Sequence, residues 1–330
     1  MEKNIRWGII GPGWIAEKMA EALAVVQGAE LAAVASRSQA RADDFARRHN
    51  ALRAYGSYEA LARDPEIDVV YIATPHTLHC ENSILCMRNG KAVLCEKPFA
   101  MNEREVVRMV AAAREHDVFL MEAFWTRFIP SIDRVMQLID SGALGRVLHI
   151  KSDHAKFRTF DPLNRAFNKS LGGGALLDIG IYPVFLTLLL WGEPDTVDAV
   201  AHIGPTGVDE SLALTFRYND GRIATLFSSF MMDSTVETDI CGTEARLKMH
   251  RWWFCPVPLD IARGEDPPET LKFNYVGNGY NYEADEVVRC LRAGRKESTI
   301  LPLDFSLRLI RLLDRIRAQI GLTYDADLVR

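Results

Sequence analysis

The stretch "IRWGIIGPGWIAEKMAEALAVV" constrains this chain more than any other. An apolar run is followed at once by Gly11-x-Gly13-x-x-Ala16, and then by Ile15, Met19, Ala22, Leu23 and Val26 at helical spacing. Strand, glycine turn and helix in that order leave few topologies open. Gly11 permits a tight turn, Gly13 lets a ligand come close to the backbone, and Ala16 lets helix and strand pack tightly. The N–H groups that open such a helix attract an anion. The pattern predicts a pyrophosphate cradle over Gly11, Pro12, Gly13, Trp14, Ile15 and Ala16.

The alternation continues. "AELAAVAS", "DVVYIAT", "KAVLCE" and "VFLMEA" read as further buried strands, and "QARADDFARRHN", "HCENSILCMRNG" and "NEREVVRMVAAAREH" as the helices between them. Asn102 and Glu105 form a capping box for the last of these, and Gly90 can end the one before. Strands and helices alternating in this way predict a parallel, doubly wound Rossmann sheet over residues 1–123. From 124 to 330 the pattern is α+β. The helix "SIDRVMQLIDSG" leads to a glycine-rich turn and the helix "ALLDIGIYPVFLTLLLWG". Then follow "TVDAVAHI", "ESLALTFRY", "RIATLFSSFMM", "ETDICGT" and "ARLKMHRWWF", with "YNDGR" and "CGTEAR" as hairpin turns, so an open, largely antiparallel sheet is expected. Two helices, "YNYEADEVVRCLRAG" and "DFSLRLIRLLDRIRAQIG", close the chain.

Composition excludes several classes. Of 330 residues, 48% are hydrophobic and 25% charged, which is ordinary for a globular protein of two domains. A net charge of −5 with no long basic run argues against nucleic acid or an anionic membrane as partner. The opening "MEKNIRWGII" leaves no room for a signal peptide, and no uninterrupted apolar run reaches the ~18 residues of a membrane span. Six cysteines, none in a C-x-x-C pair, suit neither a zinc site nor a disulfide framework. Reduced thiols in a cytoplasm are expected, and no metal.

Two further segments carry chemistry. The second strand ends in Ala35, then Ser36-Arg37-Ser38, where an NAD-binding unit usually places a carboxylate. Arg37 is either a solvated surface residue or a bidentate partner for a 2′-phosphate, with Ser36 and Ser38 as hydroxyl donors. This favours NADP, with NAD still possible. Thr74 and Pro75 end a strand, and His79 starts the next helix as a cap, a surface residue or a cofactor contact. "VLCEKPFAM" places Glu96 and Lys97 at the carboxyl end of another strand, where doubly wound sheets hold ligands. In "GGGALLDIGIYPV", Asp178 and Tyr182 stand four residues apart on one helix face.

An amino-terminal G-x-G-x-x-A, an E-K-P after a later strand and a D-I-G-x-Y helix together resemble the Gfo/Idh/MocA family, the glucose–fructose oxidoreductase and inositol dehydrogenase-like enzymes. "MEAFWTRFIP" and the tyrosine at 182 further resemble the branch with the dimeric dihydrodiol dehydrogenases and the NADP-dependent D-xylose dehydrogenases. The resemblance spans essentially the whole chain. It implies hydride transfer between a sugar or cyclic diol carbinol carbon and a nicotinamide, with Lys97, Tyr182 and Asp178 as the catalytic group. In much of the family a histidine stands where Tyr182 is, so the phenol takes its role. The chemistry is coherent: a phenol with a pKa near ~10 is a poor base at neutral pH, and a nearby ammonium favours its phenolate. Asp178 would position the substrate hydroxyl or balance Lys97, and Glu96 would hold the backbone on the cofactor side. Trp125, Arg127 and Phe128 lie where the branch lines its pocket, to stack on a substrate ring, shield the nicotinamide or pack at the domain seam. Phe157 and Arg158 are further pocket candidates. "HRWWFC" is expected on the open sheet face, covered by a second subunit in a homodimer or higher homo-oligomer. Competing readings are an inositol, amino-sugar or biliverdin reductase-like dehydrogenase on the same scaffold, and a non-catalytic NADP-binding regulator. The regulator should have lost the Lys/Asp/Tyr set that this chain keeps.

Overall fold

In the computed structural model, which describes residues 3–328, the apolar run at the amino terminus is the central strand β1 (Ile5–Ile10) of a six-stranded parallel sheet. Helix α1 (Trp14–Leu23) leads to β2 (Ala29–Ala35), and α2 (Gln39–His49) to β3 (Arg53–Tyr55). Helix α3 (Tyr58–Ala62) precedes β4 (Val69–Ile72), α4 (His79–Arg88) precedes β5 (Ala92–Glu96), and α5 (Glu103–Glu115) precedes β6 (Leu120–Ala123). The spatial order β3-β2-β1-β4-β5-β6 reverses between β1 and β4, so the crevice for a ligand opens at the carboxyl ends of those strands. β4, β5 and β6 are buried throughout, as continuous apolar runs in a parallel sheet require. β3 and α3, three and five residues long, have too few residues to show a period and escape the sequence reading. At the α5 cap Asn102 accepts from Glu105 N at 3.0 Å, and the Glu105 carboxylate accepts from Met101 N at 3.0 Å.

The second sheet has eight strands. Helix α6 (Pro130–Asp140) precedes β7 (Val147–Ala155), and a π-helical turn, Leu176–Gly180, runs into α7 (Ile181–Trp191). Then come β8 (Thr196–Ile203), β9 (Asp209–Arg217), β10 (Ile223–Ser229), β11 (Thr238–Gly242), β12 (Arg246–Met249), β13 (Leu259–Ala262) and β14 (Glu269–Leu271). Their order is β14-β13-β12-β11-β7-β10-β9-β8, antiparallel throughout except for β7 with β10. Both expected hairpins are present. Tyr218 N bonds Arg222 O across a turn with Gly221 at φ +91°, and Gly242 N bonds Ala245 O. The aromatic run is the correction. Strand β12 stops at Met249, and residues 250–255 form a turn in which Trp253, at 0% exposure, donates its indole N–H to Asp153 O of β7 at 3.1 Å. Trp253 and Phe254 belong to the interior of this unit, which the alternation of β12 does not reveal.

The long apolar helix also resolves. By length and composition Lys169–Trp191 could cross a membrane, but 89% of its most apolar window is buried in the protein. Proline explains the π-helical turn. Pro183 has no N–H and would crowd the carbonyl four residues back, and widening the preceding turn relieves this.

After β14 the chain forms α8 (Asn281–Arg292) and α9 (Leu303–Gln319). The compact units are Met1–Phe128 with Val276–Leu307, and Ile129–Tyr275 with Arg308–Arg330. The boundary expected at 123/124 therefore lies five residues later, and Val276–Leu307, expected in the second domain, belongs to the first. The physical cause is an apolar face on α8 (Ala284, Val287, Val288, Cys290) that packs on α1 and on the turn Trp125–Phe128. Lys296 O then accepts from Leu120 N at 3.1 Å, at the outer edge of β6.

Candidate active site

In the first unit the glycine turn is built for close approach. Gly11 has φ +89°, and a Cβ there would sit 2.8 Å from Ala73 O, so no other residue fits. At Gly13 the reason differs. A Cβ would meet only Gly11 O at 4.0 Å, so packing within the protein does not demand glycine. A group resting against the backbone would, and α1 opens just beyond with its first N–H groups available. The residues present therefore fit a dinucleotide pyrophosphate.

Gly11, Pro12, Gly13, Ser36, Arg37, Ser38, Thr74 and Pro75 line one cleft of about 570 Å³. Ala16 lies behind it, fully buried against the sheet, while Trp14 is 71% exposed at the helix start and Ile15 is partly buried. The cleft also has Arg41 and Tyr58, which sequence reasoning missed; Arg41 sits four residues past Arg37 on the first turn of α2. Neighbouring surface arginines pair with acids, Arg47 with Asp44, Arg48 with Glu17 and Arg53 with Asp64. Among the described residues Arg37 has no hydrogen bond or ion pair, and Arg41 only reaches Pro12 O at 3.4 Å. Two guanidinium groups without carboxylates thus face the cleft.

His79 does not line it. The ring is fully buried, with Nδ1 2.8 Å from Pro98 O and Nε2 2.9 Å from Thr74 O. It ties the ends of β4 and β5 together and so positions Thr74, whose hydroxyl also accepts from Asn82 at 3.1 Å. Below the E-K-P turn lies a buried acidic layer. Tyr71 OH donates to Glu96, and the other Glu96 oxygen accepts from Lys97 N at 3.1 Å. Lys97 is half-buried and precedes a cis Pro98. Glu283 on α8 is fully buried with no hydrogen-bond partner for either oxygen among the described residues. Burial and the neighbouring Glu96 charge push its carboxyl well above the usual range, which favours the neutral form. Trp125, 5% exposed, stacks on Tyr280 at 4.3 Å, and Arg127 and Phe128 are buried beside it in sequence. Glu122 interrupts the apolar run "FLMEAF", a pattern that marks a buried acid, whereas Glu283 lies in the polar stretch "NYEADE", which does not.

Glu122 carries a testable consequence. It accepts from Phe99 N at 3.0 Å, and burial pushes its carboxyl from 4.5 up to about 7. Because the folded pKa lies above the unfolded one, this stabilisation is full below 4.5 and is lost as pH rises to about 7, up to about 3 kcal/mol. Between pH 5 and 8 the melting temperature should fall less in Glu122→Gln than in the parent. Equal falls would refute the assignment.

In the second unit Asp178 and Tyr182 are both buried, at 5% and 7% exposure, on the π-helical turn and the first turn of α7. Asp178 is held by two guanidinium groups, Arg158 at 3.1 Å and Arg165 at 3.0 Å, one on each oxygen. That keeps it an oriented carboxylate. Arg158 lies over Phe230, whereas Phe157 next to it is 56% exposed with its N–H on Asp233. Tyr182 faces an aromatic wall, with His154 at 5.5 Å and Phe254 at 4.7 Å between ring centroids. Trp252, in the same turn, has φ +63°, a strained value for a side chain of that size. Sequence periodicity places His154 on a strand but says nothing of what it packs against, so this wall was missed.

All six cysteines are free, and burial pushes Cys80, Cys86 and Cys290 up to about 12, so these thiols stay protonated. No metal-ligating cluster occurs among the described residues.

Comparison with known proteins agrees with this geometry. Residues 5–124 match the oxidoreductase family with an NAD-binding Rossmann fold, and residues 132–248 match the Gfo/Idh/MocA carboxy-terminal domain. The chain is similar to trans-1,2-dihydrobenzene-1,2-diol dehydrogenase of Danio rerio, 40% identical over 98% of this chain and 99% of the relative. It is similar to the enzyme of that name from Homo sapiens at 37% identity, with the same coverage. Among solved structures, a 3-ketoreductase from Actinomadura kijaniata in complex with NADP and TDP-benzene aligns with a TM-score of 0.87 and 27% identity, over 96% of this chain and 98% of that one. An aldose–aldose oxidoreductase from Caulobacter crescentus shares the fold with a TM-score of 0.88 at 24% identity, over 97% and 98%. With an NAD(P)-binding Rossmann unit and a mostly antiparallel second sheet, the chain belongs to the Gfo/Idh/MocA family of oxidoreductases.

Proposed function

We propose that this oxidoreductase is an NADP-dependent dehydrogenase of CH–OH groups, acting on a cyclic diol or a sugar. The observation that carries the cofactor choice is the pair Arg37 and Arg41, both on the cleft and both without a carboxylate. A 2′-phosphate would complete their charge, whereas the ribose hydroxyl of NAD would leave two cations facing each other. When bound, the nicotinamide supplies the hydride acceptor.

The remaining roles belong to this chain's own side chains. Tyr182 takes the hydroxyl proton of the substrate as base and returns it in reduction. Lys97 supplies the ammonium that favours the phenolate and bonds the substrate oxygen. Asp178, fixed by Arg158 and Arg165, accepts a second substrate hydroxyl. A vicinal diol or a sugar offers that second group. The aromatic wall beside Tyr182 suits a flat ring, and the names of the relatives at 37–40% identity point the same way. A panel of cyclic diols, pentoses and hexoses, read by NADPH absorbance, tests this. Turnover of none of them, or turnover with NAD alone, would overturn it.

We further propose a homodimer built on the open face of the eight-stranded sheet, where Val200 on β8 is 74% and Ile223 on β10, across β9 from it, 42% exposed. A two-fold contact of one face on its copy is the commonest oligomer. Sedimentation at micromolar concentration should show a dimer, and Val200→Asp should dissociate it; a monomeric parent would remove the idea. Free cysteines throughout support a reducing compartment, and we place the enzyme in the cytoplasm.

A further inference from the structure

The helix that carries Asp178 and Tyr182 begins at three consecutive glycines, and what holds that turn is unusual. Gly173 is packed so closely that a Cβ would lie 2.6 Å from Arg165 O and 2.8 Å from Ala166 O. Gly174 has φ +125°, and a Cβ there would strike Asp209 and come within 3.0 Å of Tyr324 OH. Both residues bond the turn directly. Asp209, the first residue of β9, accepts from Leu176 N at 2.6 Å, and Tyr324 OH donates to Gly173 O at 2.6 Å. Tyr324 lies past the end of α9, in a tail tied back by Arg317, which pairs with Asp314 and Asp327 at 2.6 Å each.

Asp209 is a poor choice for stability alone. It is fully buried, and its second oxygen has no hydrogen-bond partner among the described residues. Leaving such a group unsatisfied costs folding free energy, and rules broken in this way concentrate at functional sites. What the carboxyl does provide is an acceptor for an N–H at the head of one particular helix, two residues before Asp178 and six before Tyr182.

We propose that Asp209 and Tyr324 are positioning residues, which clamp the Gly173–Gly174 turn and so set the placement of Asp178 and Tyr182. The carboxyl-terminal tail then takes part in building the acid/base group although it touches no substrate. The inference rests on the role of Tyr182 given above. A displacement of this helix by about an ångström is enough to cost roughly a hundredfold in rate.

The test compares Asp209→Ala, Asp209→Asn and Tyr324→Phe in the full-length enzyme. Asp209→Ala should lower kcat roughly ten- to a hundredfold, with the dissociation constant for NADPH within twofold of the parent. Hydrogen exchange should quicken at residues 175–182 and stay unchanged in the six-stranded sheet. Asp209→Asn keeps an oxygen that can accept from Leu176 N, so it should restore most of the rate and the slow exchange. Tyr324→Phe should shift both readouts in the same direction by less. If Asp209→Ala does not fold, the two volume-conserving variants decide. Parent-like kcat and parent-like exchange at 175–182 in Tyr324→Phe would overturn the proposal, as would exchange that quickens evenly over the whole second unit. Tyr182→Phe is measured alongside. If it keeps normal turnover, the catalytic reading fails, while exchange in the Asp209 variants still judges the clamp by itself.

Discussion

Replacing Tyr182 with phenylalanine should lower kcat by about 10²–10⁴, because it removes general acid–base assistance while keeping the ring. The ring matters: it packs against His154 and Phe254, so truncation to alanine would confound chemistry with the loss of that wall. NADPH binding should be nearly unchanged, since the residues of the nucleotide cleft all lie in the first unit. Lys97→Met should cost at least as much, by removing both the charge that favours the phenolate and a bond to the substrate oxygen. Groups that act as one unit are non-additive, so the double variant should be little worse than the poorer single one. Steady-state rates at saturating cofactor check all three. Near-normal turnover in Tyr182→Phe would exclude the phenol. His79 is a weak substitute, because both its ring nitrogens already face backbone carbonyls.

Arg37→Asp should raise KM for NADP roughly ten- to a hundredfold or more and leave KM for NAD within a few-fold. One charge-assisted phosphate contact contributes ~1.5–3 kcal/mol, and the new carboxylate adds repulsion. Arg41→Ala should act in the same direction with a smaller loss, since it removes one cation without reversing the charge. Ser36 is a less informative target, as its hydroxyl already accepts from Ser38 N. Initial rates with each cofactor decide the matter. A parent enzyme that already prefers NAD would refute the assignment of both arginines.

Much of this architecture was legible from local pattern, for reasons that particular residues make plain. Gly11 with its positive φ, the buried runs of β4 and β5, and the Asp–Gly step before Arg222 all encode backbone geometry within a few residues. What stayed hidden depends on contacts distant in sequence. His79 sits at a helix start and looks available, yet Pro98 and Thr74 occupy it. Trp252 and Phe254 continue an apparent strand, and only the inward turn at residue 250 gives Phe254 to Tyr182 and sets Trp252 against Phe254. Arg165 follows an irregular loop with no period at all, so nothing announced its bond to Asp178. The E-K-P lysine was singled out by its place at a strand end, whereas the acids beneath it, Glu122 and Glu283, come from the edge strand and from a helix nearly two hundred residues later.

The return of Val276–Leu307 to the first unit means that the nucleotide-binding part of this protein is written in two instalments, with residues 129–275 between them. During synthesis, the strands that carry the glycine turn leave the ribosome long before α8 exists to cover Glu96 and Tyr71. An early-made half must therefore wait, with its acids and one sheet edge uncovered, for a closing piece made near the end. A nucleotide-binding fragment cut off after residue 128 would lack that piece. Joining 128 directly to 276 through a short linker, and omitting what lies between, is the design that would give the fragment its own lid.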